Sequence, residues 1–254
     1  MEKKKHSGSF IKNWLKPIIN TSNLKRVFPK YISYFRDWKK YSSMENAEEM
    51  RLKNSIPSLF DDIISTPFDP HYFYQDIWAF KRINELNFEE HIDIGSKVYF
   101  VGFLTTIKKI KFIDLRPLRA NLDNLESIKG NILSIPYEDN SIKSISCLHV
   151  AEHIGLGRYG DNLDPLGTKK AAKELTRVLA VGGNLFFSLP IGKPRLCFNS
   201  HRIHSTNQIL NYFYDLELIE LSGVDDSGNF IRNIEKSKLD ACNYGCGLFW
   251  FTKK

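Results

Sequence analysis

The sequence predicts an α/β fold: a Rossmann-like, doubly wound, mostly parallel seven-stranded sheet with an N-terminal helical extension. Two observations carry this. Strand-like runs alternate with helical stretches along most of the chain, the pattern of a sheet layered between helices. Four short apolar runs close on polar or glycine-bearing turns, at residues 91–96, 112–114, 130–132 and 147–153. Turns of that kind grip a nucleotide-type cofactor along the carboxyl edge of a parallel sheet. Asp93 and Asp114 stand 21 residues apart, which suits one strand–helix–strand unit with the second acid placed for ribose hydroxyls.

The elements follow in order. Residues 1–65 read as a basic, aromatic arm plus helix, with 44–54 a charged helical stretch, and residues 66–254 as the catalytic domain. Pro57, Pro67 and Pro70 punctuate the passage between them. From 71 to 86, Tyr72, Phe73, Ile77, Phe80 and Ile83 recur at near-helical spacing. The first strand is expected over 91–94, followed by a helix whose amino end faces the cofactor. The second strand is expected over 111–115, the third over 127–129 and the fourth over 142–148. A helix over 168–179 ends at Gly182-Gly183, and the fifth strand covers 184–189. Runs at 216–221 and 248–252 read as a final antiparallel pair.

Composition bounds the function. With 254 residues, 42% hydrophobic and 26% charged, the chain is ordinary globular material that needs no disulfide or metal to fold. Of its four cysteines, Cys147, Cys197, Cys242 and Cys246, only the last two are close, and these two read as buried thiols; the compartment reads as reducing and cytoplasmic. No apolar run approaches the roughly 18 residues of a membrane span. The net charge of +7 is concentrated: residues 1–40 carry 11 Lys or Arg against Glu2 and Asp37, which leaves the remainder slightly acidic. Phe10, Trp14, Phe28, Tyr31, Tyr34, Phe35 and Trp38 interleave with those cations. The arm reads first as an amphipathic extension packed on the core or on a second subunit. The alternative is peripheral contact with the inner membrane face. Nucleic acid is disfavoured.

In this order the motifs resemble class I S-adenosylmethionine-dependent methyltransferases. More narrowly, the segments HYFYQDIWAFKRI, DIGSKVYFVGFL, FIDLRPL, SCLHVAEHIGLGRYGD, RVLAVGGNLFFSLPIG and NSHRIHS resemble the DUF268 family of such proteins, from about Pro57 onward. The resemblance implies S-adenosylmethionine as cofactor and a surface-polysaccharide setting, with a small-molecule or glycan-linked acceptor. Two positions depart from the wider class. Lys97 stands where a second glycine is usual, and Asn131 where an acid is usual.

The resemblance implies cofactor contacts at Asp93, Gly95, Ser96, Asp114, Leu115, Asn131, Ile132 and Leu148, with Tyr74 and Gln75 beside Tyr72 as a lid. His149, Arg158, Tyr159 and His201 are the candidate catalytic groups. A histidine titrates near neutral pH and can take an acceptor's proton. Arg158, or Arg202, can fork onto a phosphate or carboxylate. His149-x-x-Glu152-His153 also has the spacing of an inverted zinc-protease motif, but Gly155 and Gly157 interrupt the helix that motif requires. No metal is expected. Resemblance to some quinone O-methyltransferases implies, as the alternative, a divalent ion at His149 and Glu152. The expected activity is O-methyl transfer to a surface-polysaccharide sugar or its phosphate or phosphoramidate decoration. A non-catalytic S-adenosylmethionine-binding scaffold in a glycan-assembly complex is the other reading.

Overall fold

A computed structural model describes residues 7–19 and 24–254. The chain divides into two compact units, with the boundary between Pro67 and Phe68.

In the first unit, α1 (Ser7–Ile19) and α2 (Val27–Ser42) are joined through a short 3-10 turn, Leu24–Arg26. Aromatic packing holds the pair. The Trp14 ring stacks on Tyr31 at 5.6 Å and meets Tyr34 edge-on at 5.8 Å, while its indole N–H donates to Ser55 Oγ. Residues 44–54 do not continue as a helix; only the 3-10 turn Leu52–Asn54 is regular. Glu45, Glu48 and Glu49 repel at helical spacing. Asn46 takes a left-handed φ of 63°, which ends the turn after α2.

The second unit opens with α3 (Pro70–Glu85). Asp69 caps it by accepting from the N–H groups of His71 and Tyr72, and Pro70 supplies the preset first-turn φ. Its inward face carries Gln75, Trp78, Ala79, Arg82 and Ile83. Eight strands follow in one sheet: β1 (Glu90–Ile94), β2 (Lys109–Asp114), β3 (Leu125–Lys129), β4 (Ile142–Leu148), β5 (Leu179–Ile191), β8 (Leu216–Val224), β9 (Phe230–Ile231) and β10 (Gly245–Lys253). A separate hairpin pairs β6 (Arg195–Cys197) with β7 (His201–Ile203). The helices of this unit are α4 (Val98–Leu104), α5 (Gly167–Val178), α6 (Thr206–Tyr212) and α7 (Lys236–Ala241).

The sheet order is β3-β2-β1-β4-β5-β10-β8-β9. The first five strands are parallel, and β10 inserts antiparallel between β5 and β8. Seven of the strands match the expected count; β9 is an additional two-residue edge strand. Strand order reverses between β1 and β4, so the connections leave in opposite directions and open a crevice at the carboxyl ends of those strands. Two apolar layers flank the sheet. On one side Ile92, Ile145, Phe187 and Leu189 pack with Ala171, Leu175 and Val178 of α5. On the other, Phe112, Leu148 and Phe186 pack with Trp78 and Ala79 of α3 and Phe100 and Leu104 of α4.

One boundary differs from expectation. α5 stops at Val178, and β5 begins at once at Leu179, so Gly182-Gly183 lies inside a strand rather than closing a helix. Gly182 has a φ of +73°, and the register against β4 shifts between Ile142 and Ser144. The glycines therefore form a bulge. The β6–β7 hairpin, α6 and α7 carry no strong periodicity and were not anticipated.

A basic cleft at the strand-order reversal

β1 ends in a turn built on Gly95, whose φ is +64°. A side chain there would be strained, and its Cβ would also touch Asp114 Oδ2 and the Val150 side chain at 3.4 Å. Lys97 follows with φ −60° and ψ 133°, a conformation open to any residue. No glycine is needed at that position, and this explains the departure from the usual loop. Its ammonium lies over the Tyr72 ring, 3.1 Å from the centroid.

Beside this turn a cleft of about 830 Å³ opens. Gly95, Ser96 and Lys97 line it from β1, Asp114 from β2, and Leu148, His149 and Glu152 from the end of β4. Tyr72, Arg116, Arg119, Arg158, Tyr159, His201 and Tyr244 complete the wall. A narrow adjoining slot of about 100 Å³ is bounded by Ile113, Asp114, Leu115, Asn131 and Ile132. Its lining is mostly apolar, with Asp114 and Asn131 among its polar members. Asn131 spends its carbonyl on the Leu133 N–H, which leaves its amide N–H groups for a ligand.

Not every expected residue faces the cleft. Asp93 is fully buried: it accepts from the Ser96 N–H at 3.0 Å and from the Ser146 hydroxyl. Ser146 in turn contacts His91, which also reaches Ser144. Burial raises the Asp93 carboxyl to about 6. It shapes the turn from behind and does not line the cleft. Tyr74 stacks on Phe230 at 5.6 Å and leaves the lid position to Tyr72. Arg202 donates to the carbonyls of Ile154 and Asp164, so its fork is committed to holding a loop.

His149 sits at the bottom of the cleft with φ 54°, unusual for a non-glycine residue. Gln75 Oε1 lies 2.8 Å from its Nδ1 and also accepts from Ser188 Oγ. A side-chain carbonyl can only accept, so Nδ1 carries the proton and Nε2 presents a lone pair. That Nε2 is buried without a partner. Burial, with the Lys97 ammonium nearby, pushes the imidazole well below its usual range and keeps it neutral. Gln75 and Ser188 set this tautomer. Glu152 does not, and Asp161 instead accepts from the Gly155 and Tyr159 N–H groups to shape the glycine-rich loop.

Glu152 is buried, and neither carboxyl oxygen has a hydrogen-bond partner, although His153 Nε2 lies 3.6 Å from Oε1. Burial raises it to about 8, so it is mostly protonated at neutral pH. His153 donates to the Ser200 carbonyl, and burial lowers it to about 4. The Tyr159 ring lies between two guanidinium groups, Arg116 at 5.0 Å and Arg158 at 5.2 Å. His201 packs on Tyr244 and hydrogen-bonds Ser200. Four cations, Lys97, Arg116, Arg119 and Arg158, therefore line a cleft whose acidic side chains are Asp114 and the largely protonated Glu152. Such a wall favours an anionic ligand.

The turn after β4 is a single 3-10 turn, Ala151–His153, so His149, Glu152 and His153 do not share a long helix face. The ligating groups that do converge are His71, His149 and Cys246. His71 and Tyr244 had no local signal in the sequence; α3 and β10 bring them in from far along the chain.

The family model described as "Caenorhabditis protein of unknown function, DUF268" matches residues 103–241. The chain belongs to the DUF268 family. No curated protein matches its sequence. Among solved structures, the N-methyltransferase NodS from Bradyrhizobium japonicum WM9, crystallised with S-adenosyl-L-homocysteine, aligns with a TM-score of 0.51. That alignment has 14% identity and covers 86% of this chain and 97% of NodS. The cyclase SpnF aligns with a TM-score of 0.50 at 12% identity, over 72% of this chain and 81% of SpnF. At these identities the likeness establishes the fold. The DUF268 chain thus shares its fold with an N-methyltransferase and with a cyclase.

Proposed function

We propose that this DUF268 protein transfers a methyl group from S-adenosylmethionine to an oxygen of an anionic acceptor. The observation that carries the reading is the junction of the apolar slot at Asp114 and Asn131 with a four-cation cleft that has a bare imidazole nitrogen at its base. The fit is chemical. Asp114 faces the slot mouth, suited to ribose hydroxyls. Ile132 and Leu115 flank a flat base, and the Asn131 amide can pair with its edge. The Lys97 ammonium and the turn at Gly95 suit the carboxylate of the methionine part. When bound, this cofactor supplies an already activated sulfonium methyl.

The protein's part is placement and proton handling. Tyr72 and Leu148 exclude water around the reacting groups. Arg158 and Arg116, held against Tyr159, orient an anionic acceptor. His149 Nε2 accepts a hydroxyl proton as the bond forms, with Gln75 Oε1 supporting the Nδ1–H of the resulting imidazolium. A phosphate or phosphoramidate oxygen needs only the cations. The resemblance noted above makes a surface-polysaccharide sugar or its decoration the leading acceptor.

The second reading is a cofactor-binding scaffold in a glycan-assembly complex. The depressed basicity of His149 favours it, because a neutral but weak base is less suited to turnover. Calorimetry with S-adenosylhomocysteine tests what both share: the parent protein should bind it, and absence of binding removes both. Release of S-adenosylhomocysteine on offering phosphorylated sugars then separates enzyme from scaffold.

We assign the first unit to peripheral attachment. Among the described residues no helix is long and apolar enough to cross a membrane. On α1, Ile11, Leu15 and Ile19 are exposed, and on α2, Phe28, Ile32 and Phe35. Each set recurs at helical spacing beside lysines, as in interfacial helices. Removing residues 1–40 should reduce co-sedimentation with anionic vesicles and leave S-adenosylhomocysteine affinity in place; unchanged sedimentation refutes the attachment.

A further inference from the structure

His71 comes from the first turn of α3, His149 from the end of β4 and Cys246 from the start of β10. Each offers one ligand atom, and these atoms lie within 4.8 Å of one another. We propose that these three side chains form a binding site for a zinc-like divalent ion, with a fourth coordination position open to the neighbouring cavity.

The donor set is the first argument. Two imidazoles and a thiolate are borderline-soft ligands that select zinc over magnesium or calcium, and three protein ligands leave one tetrahedral position free. Bond lengths of about 2.0–2.3 Å place tetrahedral ligand atoms roughly 3.3–3.8 Å apart. The observed spread closes to that with side-chain shifts of roughly 1 Å, small beside ordinary rotamer adjustment.

The second argument is the outer hydrogen bonding. Metal-binding histidines present one nitrogen to the ion and donate from the other to a carbonyl or carboxylate. His149 does this: Nδ1 donates to Gln75 Oε1, and Nε2 is buried with no partner. The His71 ring is held by stacking on Tyr244, with ring centroids 5.0 Å apart. Both rings are thus oriented before any ion arrives. A buried polar atom left unpartnered is otherwise costly.

The third argument is access and charge. A cavity of about 680 Å³ adjoins the cluster, lined by His71, Tyr72, His149 and Tyr244 together with Asp69, Asp225 and Asp226. Three carboxyl groups at the approach raise the local concentration of cations. Cys246 is fully buried beside the two imidazoles, so an ion bound there is shielded from water on the protein side.

Ion binding stands independently of methyl transfer. Its consequence rests on that reading: in the loaded protein His149 is a ligand, and the ion, rather than the imidazole, polarises the acceptor oxygen.

The test titrates metal-stripped full-length protein with Co²⁺, and with Zn²⁺ against a chromophoric chelator. One Co²⁺ per chain should bind, with thiolate-to-metal charge-transfer absorption. Cys246→Ser should lose that absorption. His71→Asn should weaken Zn²⁺ binding by more than about 100-fold, beyond the loss expected from disturbing only an outer hydrogen bond. Circular dichroism reports the folding of each variant. No Co²⁺ binding by the parent overturns the site, as does the full band in Cys246→Ser. If Cys246→Ser does not fold, unchanged Zn²⁺ affinity in His71→Asn, at a half-buried position, overturns it. Failure to bind S-adenosylhomocysteine with Co²⁺ binding intact refutes the cofactor reading and leaves the metal site standing.

Discussion

The two sides of the cleft are made differently. The side at the tips of β1 and β2 and the turn after β3 comes from compact local turns: Gly95 reverses the chain, Asp114 hydrogen-bonds the Arg116 N–H, and Asn131 hydrogen-bonds the Leu133 N–H. The side around His149 is assembled from α3, β4, β5, the β6–β7 hairpin and β10. His149 has partners 74 residues upstream, at Gln75, and 39 downstream, at Ser188. On the first side the acceptors Asp114 Oδ1 and Asn131 Oδ1 are engaged by N–H groups of their own turns. The second holds buried atoms without a hydrogen bond, His149 Nε2 and both Glu152 oxygens. Binding geometry can rest on local turns, whereas reactive groups are left unpartnered only where distant elements hold them in place.

The largest effect should come from the distant side. His149→Asn tolerates the positive φ at this position better than alanine does. It should lower turnover by ~10²–10⁴ if the imidazole is the base, with S-adenosylhomocysteine affinity nearly unchanged. Single-turnover kinetics on the true acceptor check this. Normal turnover would transfer the work to Arg158 and Arg116 and point to a phosphate-like oxygen.

Glu152 sharpens the contrast through pH. Its folded value of about 8 lies above the ordinary 4.5, so the folded protein holds a proton there that the unfolded chain has lost. The stabilisation is complete below about pH 4.5 and drains away as pH rises toward 8. Glu152→Gln keeps the neutral form and should gain on the parent across that window, by on the order of a few kcal/mol at its upper end. Denaturant unfolding of both proteins at several pH values measures it, and parallel curves would mean that the carboxyl finds a partner or water.

On the local side, Asp114→Ala should weaken S-adenosylhomocysteine binding by roughly 1.5–3 kcal/mol, the scale of hydrogen bonds to a charged group. Titration calorimetry reads it directly, and an unchanged affinity in a folded variant would move the ribose contact elsewhere. The smallest effect expected is on stability. Gln75→Leu removes the acceptor shared by the Nδ1–H of His149 and the Ser188 hydroxyl, leaving these two only each other at 3.3 Å, and should cost about 1–3 kcal/mol. A thermal melt checks this; a variant as stable as the parent would show that His149 readily takes other partners.

The sheet and the local side of the cleft were legible in the chain. Apolar runs with period-two or continuous character mark β1, β2 and β4, and glycine and short polar residues mark the turns that close them. That information lies within a few residues, so Gly95, Asp114, Leu115, Asn131 and Ile132 could be placed around one ligand edge. Even here Asp93 shows the limit. Its spacing puts it at the strand tip, but the pleat directs its side chain toward Ser146 and the interior. The Gly182-Gly183 pair looked like a helix end because glycine signals a break, not which element it breaks.

Only the tertiary structure decided the other side. His71, Gln75, Ser188, His201, Tyr244 and Cys246 have no common spacing in the chain. They meet because β10 threads antiparallel between β5 and β8, placing the residues at its start beside the end of β5, and because α3 packs over Phe186 of β5. A local pattern reports propensity over a few residues. Contacts between segments 39 to 175 residues apart depend on strand order, and the burial that keeps His149 and Glu152 neutral exists only once that order is built.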